Sequence, residues 1–420
     1  MSSAAPSPID AANAQALERI FASRPWLVGV HPARALLPQL GDYTVLHAGP
    51  PLEWDAMCGP LRGAILGALQ YEAWAADEAA AQSLIDGSRI TFLPCHSVSA
   101  VGPMAGIVTP SMPLMVVENR EFGNRAYATL NEGLGKVLRY GANDASVLQR
   151  LGWLQQVAAP ALHAALQRAG GLDLRVLMAQ ALLMGDEMHQ RNIAATSLLV
   201  RALLPHLVRA VSVPESLGAV ADYLTGNEQF FLNVVMAAAK ATMDAAGGMP
   251  GCTLVTAMAR NGTTFGVRLS ALGERWFTAP AEMPRGLYFP GFSAANANPD
   301  MGDSAIVETC GLGAFAMAAS PAVAQFVGVG GLAEARRYTE EMLEITVGRS
   351  PYLLLPMLDG LGVPTGIDVR RVVETGIVPW INTGIAHRQA GIGQIGAGIA
   401  QAPLDCFVQA LEAFAAVWSG

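Results

Sequence analysis

The chain predicts a mixed α/β and α+β multidomain fold, two α/β lobes with a helical middle domain, and three observations carry that expectation. Its 420 residues exceed what a single hydrophobic core usually serves. Strand-like and helical stretches alternate before residue 143 and again after residue 213, whereas residues 144–213 read as helix between breaks. Hydrophobic residues make up 52% and charged residues only 14%, against roughly 25% charged in an average soluble domain, so much of the surface is expected to contact protein. The expected division is an N-terminal α/β domain (1–142), a helical domain (143–213) and a C-terminal α+β domain (214–420).

Residues 26–48 read as short strands, ending at Val45–His47 before the stiff turn Ala48-Gly49-Pro50-Pro51. Gly59-Pro60 places proline at a first helical position, and Ala64, Leu66, Ala68, Leu69, Ala73 and Trp74 continue at helical spacing towards Gly87. A strand over 90–93, a loop rich in Gly, Pro and Ser, and a β-like run over 114–117 follow. Good helix formers broken at Pro160, Gly170-Gly171 and Pro205 make the middle segment helical. Beyond Pro214 the pattern gives a helix over 230–246, strands over 254–258 and 264–269, and a turn-rich stretch over 282–304.

Net charge −8 argues against a phosphate-backbone partner, since nucleic-acid binders concentrate Lys and Arg and no basic run occurs here. Residues 309–333 lack charge, but Gly311, Gly313, Pro321, Gln325, Gly328, Gly330 and Gly331 fit a buried helix, a turn and a strand rather than a membrane span. Met1 to Asp10 show neither the basic nor the apolar region of a secretory signal, so a cytoplasmic location is expected. The five cysteines, with no C-x-x-C pair, are expected as reduced thiols.

Several constellations could carry chemistry. Met57 to Ala64 puts free N–H groups at a helix start beside Arg62, suited to phosphate or carboxylate; a cap with Arg62 paired to a carboxylate explains the pattern equally. Cys58, just before that start, is a nucleophile if its pKa is lowered and buried filler otherwise. Pro94-Cys95-His96-Ser97 lies at a strand's C-terminal end, where ligand sites of α/β sheets gather, and His96 suits an acid, a base or a hydrogen-bonded structural role. Met184 to Asn192 reads as a polar helix with Asp186 and His189 on one face, spaced like two metal ligands, and Glu187 paired with Arg191. Asp303 or Glu308 would have to complete a metal site, and a domain-interface network is the plainer reading.

Asn119, Asn131-Glu132, Arg139, Asn233, Lys240, Arg260-Asn261, Asp303-Ser304, Glu308, Asn382 and His387 stand in apolar or glycine-rich settings, which a chain this poor in charge is expected to use inside clefts. Gly391, Gly393 and Gly396 match G-x-G-x-x-G without a strand-to-helix context, so no dinucleotide site is expected there. Gly328-Val329-Gly330-Gly331, between a strand-like Phe326-Val327 and a helix over 332–345, is a better phosphate-cradle context, though tight strand-to-helix packing explains the glycines equally.

Along nearly its whole length the chain resembles the AllG/YlbE-like family, long catalogued as a domain of unknown function and associated with a subunit of oxamate carbamoyltransferase. The resemblance rests on Met57–Ala64, Pro94-Cys95-His96, Val101–Gly106, Val117-Glu118-Asn119, Asn131–Ala142, Met184–Asn192, Phe230–Asn233, Met258–Gly262, Gly302-Asp303-Ser304 and Asn382 through Gly398. It implies exchange of a carbamoyl group between carbamoyl phosphate and oxamate, giving oxalurate and phosphate, late in allantoin-linked nitrogen breakdown. It also implies an oligomeric assembly with an acyl-CoA-synthetase-like subunit and a further small subunit. No cofactor or metal is required, and small anions would be the substrates. Arg62, Arg139, Lys240, Arg260 and Asn261 are the candidates for gripping them, with His96, Asn119 and His387 as donors or proton handlers. The rival readings are a non-catalytic scaffold subunit and a metal-assisted enzyme centred on Asp186 and His189.

Overall fold

The computed structural model describes residues 7–328 and 330–418, and Val329 of the expected glycine cradle lies outside them. The first half supplies β1 (Pro25–Pro32), β2 (Thr44–His47), β3 (Thr91–Pro94), β4 (Ala100–Val101), β5 (Pro113–Asn119), β6 (Arg125–Thr129) and β7 (Leu172–Asp173). Five of these form one sheet in the order β4-β6-β5-β1-β7, antiparallel except at β4–β6, while β2 and β3 pair in parallel. The parallel register sets His47 opposite Pro94, so both strands deliver their C-terminal ends to one place.

The second half adds β8 (Val255–Asn261), β9 (Thr264–Leu269), β10 (Trp276–Pro280), β11 (Arg285–Tyr288), β12 (Met301–Gly302), β13 (Thr346–Leu355), β14 (Leu361–Ile367), β15 (Trp380–Ala386) and β16 (Gln394–Gln401). They form the antiparallel sheets β10-β9-β8-β12 and β11-β16-β15 and the hairpin β13–β14. Mixed helices and several sheets make this an α+β fold.

The spine is the helix Phe230–Asp244, in which every residue except the last is buried. A helix apolar all round belongs inside a core. It packs on β5 and β6 on one side and on Ile306–Thr309 and β8 on the other, joining the two halves. Asn233 and Lys240 sit on it, and with no water at hand each must find a partner within the protein.

Three local expectations need correction, and a fourth agrees with the structure. The helix expected to run to Gly87 is two, Gly59–Tyr71 and Glu78–Asp86: Ala73 takes a left-handed φ of 57°, and the Asp77 side chain caps the second by accepting from Ala80 N–H. Residues 184–192 form a turn, not a helix, because Gly185 and Met188 adopt φ of 90° and 64°. Polar side chains take over the backbone there: Glu187 accepts from the N–H groups of His189, Gln190 and Arg191. Phe326 ends the helix Pro321–Phe326 rather than a strand, so the glycines after it do not join strand to helix. The G-x-G-x-x-G match links β15 to β16 in an antiparallel hairpin, a geometry unlike a dinucleotide-binding turn.

Ile193–Ala210 is the one described helix long and apolar enough by composition to cross a bilayer, and it was not the stretch that the sequence singled out. It carries Arg201, His206 and Arg209 and packs one face on the helices Ala159–Ala169 and Leu174–Leu183.

Candidate functional site

A buried polar centre forms where β2 and β3 end. The backbone leaves β3 into a short turn, Cys95–Val98, that directs His96 inward. Its Nε2 lies 3.5 Å from Asp303 Oδ1, with both side chains fully buried and the imidazole edge-on to Trp276. Neither ring nitrogen of His96 has a hydrogen bond among the described residues, nor does His47 Nε2 nearby in the β2–β3 pair. Burial, reinforced by the positive charges of Lys240 and Arg268, holds His96 well below its ordinary pKa, so the ring is neutral.

Asp303 accepts from Gly49 N–H at 2.8 Å and Gly102 N–H at 3.0 Å. Burial still raises its carboxyl to about 7, against the lowering effect of those two donors and of Arg260 and Lys240. Two glycines make the approach possible. A Cβ on Gly49, where φ is 83°, would stand 2.6 Å from the Arg260 carbonyl carbon, and one on Gly102 would stand 2.6 Å from Gly106 Cα.

Arg260 on β8 is fully buried. Its Nε and Nη2 grip both Asp300 carboxylate oxygens at 2.7 and 3.0 Å, Nη1 donates to Gly302 O and Ser304 Oγ, and Nη2 also donates to Thr383 Oγ1. Lys240 Nζ bonds Asp244 Oδ1 at 2.5 Å, and Ser99 Oγ donates to the other oxygen of that carboxylate. His96, Lys240 and Arg260 therefore converge around Asp303.

Arg139 stands one loop away. Its carbonyl accepts from Ala105 N–H, its Nη1 donates to Asn131 Oδ1, and Asn131 in turn donates to Asn233. Beside it Glu132, raised by burial, accepts from Leu138 N–H and Arg139 N–H.

The remaining candidates lie elsewhere. Arg62, in the first turn of Gly59–Tyr71, donates to Asp55 O and lies over the Trp54 ring. Asn119 is saturated: its Oδ1 accepts from Arg24 N–H and Glu121 N–H, and its Nδ2 donates to Ser23 Oγ and Ala241 O. Asn261 closes the β8–β9 hairpin by accepting from Thr263 N–H and Thr264 N–H. His387 follows β15 directly, accepts from Gln389 N–H and faces Phe292. Cys58 is raised by burial, first of all, which removes the lowered pKa that a nucleophile needs.

Asp186 and His189 do not share a partner. Asp186 pairs with Arg191 and accepts from Ala195 N–H, while His189 Nδ1 meets Glu308 Oε1 at 2.7 Å. Glu187, expected to pair with Arg191, takes only that residue's backbone N–H, and burial lifts its carboxyl to about 7. No group of three or more metal-ligating side chains occurs among the described residues.

The largest cavity described, about 630 Å³, opens between the 131–142 segment, the 190–193 turn and the β15–β16 hairpin. Its lining includes Gln190, Arg191, Gln229 and Gln394 facing Phe289, Phe326, Ile193 and Ile392. The sequence reading missed it, since a lone glutamine carries no signal of burial or function. His47 was legible only as a strand end.

A family profile described as "Oxamate carbamoyltransferase subunit AllG" matches residues 90–304. The chain is 54% identical over 406 residues to the oxamate carbamoyltransferase subunit AllG of Escherichia coli (strain K12), covering 96% of this chain and 97% of that one. It is 46% identical over 403 residues to the uncharacterized protein YahG of the same organism, covering 96% and 85%. A crystal structure of a conserved protein of unknown function from Enterococcus faecalis V583 superposes with a TM-score of 0.95 at 47% identity, covering 97% of this chain and 98% of that one.

Proposed function

We propose, from the premise that this chain belongs to the family of oxamate carbamoyltransferase subunit AllG, that it serves as a subunit of a multisubunit carbamoyltransferase. The observation that carries the reading is 54% identity to the subunit of that name across 96% of the chain. The reaction would be oxamate plus carbamoyl phosphate to oxalurate plus phosphate, and its reverse. The oxamate amide nitrogen bonds to the carbamoyl carbon, an oxyanion develops, and the carbon–oxygen bond to phosphate breaks with the electron pair leaving on phosphate. The nitrogen's proton passes to a base and finally to phosphate. Such a site needs donors for the oxyanion, cations for the anionic groups and a proton handler.

The buried centre supplies groups of these kinds. His96 is neutral, with both nitrogens unbonded among the described residues, beside a carboxyl raised to about 7. Lys240 and Arg260 stand around that carboxyl, and Arg139 lies behind the Gly102–Gly106 loop. Arg62, Asn119 and His387 contribute no group to this centre. Partners would be an acyl-CoA-synthetase-like subunit and a further small subunit.

One observation favours the non-catalytic scaffold as second reading. Val176, Leu183, Met184, Leu204 and Val208 are 43–59% exposed on the helical segment, an apolar outer surface of the kind that subunits cover. Reconstitution separates the two. The complex is expected to release phosphate from carbamoyl phosphate in an oxamate-dependent way, and to lose this on His96→Ala while still assembling. Full turnover by the partner subunits without this chain would refute the catalytic reading, and its loss on omission of this chain but not on H96A would favour the scaffold.

A further inference from the structure

We propose that the 630 Å³ cavity between the 131–142 segment, the 190–193 turn and the β15–β16 hairpin is the acceptor-substrate site, taking a small planar monoanion with an amide next to its carboxylate. The inference rests on the carbamoyl-transfer reading and deepens it: Arg62, Arg139, Lys240 and Arg260, the cations expected to grip anions, do not line this cavity.

Size comes first. The cavity falls within the roughly 300–1,000 Å³ range of small-molecule sites, and its mostly apolar wall with a few placed polar groups is their usual make-up. Charge narrows the ligand class. Arg191 is the only cation among the described lining residues, and Glu228 stands on the same lining, so the lining is neutral overall and poorly matched to a phosphate dianion. The Arg191 Nε is committed to Asp186 at 3.1 Å, while its two Nη groups have no hydrogen-bond partner among the described residues. A planar pair of free N–H groups is the fork that a carboxylate accepts.

The polar floor fixes the other end of the ligand. Gln190 Nε2 donates to Thr383 O, Gln229 Nε2 to Gln190 O, and Gln394 Nε2 to Gly396 O. Each amide nitrogen is thereby oriented and keeps a second N–H, while Gln190 Oε1 accepts no hydrogen bond among the described residues. Neutral side chains offering both donors and acceptors complement an amide, which needs both. Gln190 also ties the cavity to the buried centre: Thr383, whose carbonyl it holds, donates its hydroxyl to Asp300, the partner of Arg260.

The test uses the reconstituted complex with two variants. Arg191→Gln removes the fork, and Ile193→Trp, at a side chain 41% exposed, fills the cavity without touching the ion pair. Both are expected to raise the KM for oxamate at least tenfold while leaving the KM for carbamoyl phosphate within about twofold. An unchanged oxamate KM in I193W, or a rise confined to carbamoyl phosphate, overturns the assignment. Should the wild-type complex show no oxamate-dependent turnover, the carbamoyl-transfer reading fails by itself. Calorimetric titration of the chain with oxamate then decides the cavity separately: binding abolished by I193W supports it, and no binding or binding equal in I193W overturns it.

Discussion

Asp303→Asn isolates the electrostatic strain of the carboxyl at the middle of the buried centre. In the folded chain the Asp303 carboxyl titrates at about 7 against an ordinary 3.8, because burial outweighs its two backbone donors and the nearby Arg260 and Lys240. A carboxyl raised in this way stabilises the fold while protonated in it, and that contribution is lost as pH rises from the unfolded to the folded value. At 1.36 kcal/mol per unit the loss amounts to about 4 kcal/mol between about pH 4 and pH 8. Asparagine does not ionise, and the amide it would turn towards Gly49 or Gly102 N–H costs a pH-independent ~1–3 kcal/mol. His47 and His96, held low by burial, shift stability the other way below their ordinary 6.5, so the wild-type curve alone is ambiguous. The difference between variant and wild type removes that background. Denaturant unfolding across this pH range is expected to show D303N gaining on wild type by about 4 kcal/mol from the acid to the alkaline end. A difference that stays constant across the range would refute the argument that Asp303 is a strained, proton-holding carboxyl.

Arg260→Met leaves Asp300 buried without its partner and should cost about 3–5 kcal/mol in denaturant unfolding; the double variant R260M/D300N is expected to recover part of it, and an R260M loss under 1 kcal/mol would mean that the pair is hydrated. Asn119→Ala removes four hydrogen bonds that tie the end of β5 to Ser23, Arg24 and Ala241, so it should lower stability by roughly 1–3 kcal/mol while leaving the oxamate KM of the complex unchanged; a kinetic effect without a stability loss would return it to the site. Four cysteines are buried and the half-buried Cys58 is raised by burial, so native protein at pH 7.5 should react slowly with a thiol reagent, and rapid stoichiometric labelling of Cys58 would contradict its raised pKa.

Composition and periodicity determined a good deal. Fifty-two per cent hydrophobic residues with 14% charged required large buried surfaces, and the core helix Phe230–Asp244 together with the β8–β9 hairpin was readable from local pattern because neighbouring residues decide such elements. The motifs that carry the family resemblance were legible for the same reason. Tertiary structure alone decided the partners. Arg260 found Asp300 forty positions away, His189 found Glu308, and Glu187 spent its carboxylate on three backbone donors, turning an expected helix into a turn. A residue's neighbours in sequence fix its conformational preference, but its charge state depends on how much water the fold removes and which distant dipoles replace it. Asp303 and Asp300 are three residues apart on one short segment. One lies at about 7 and the other grips a guanidinium, a distinction that no spacing encodes.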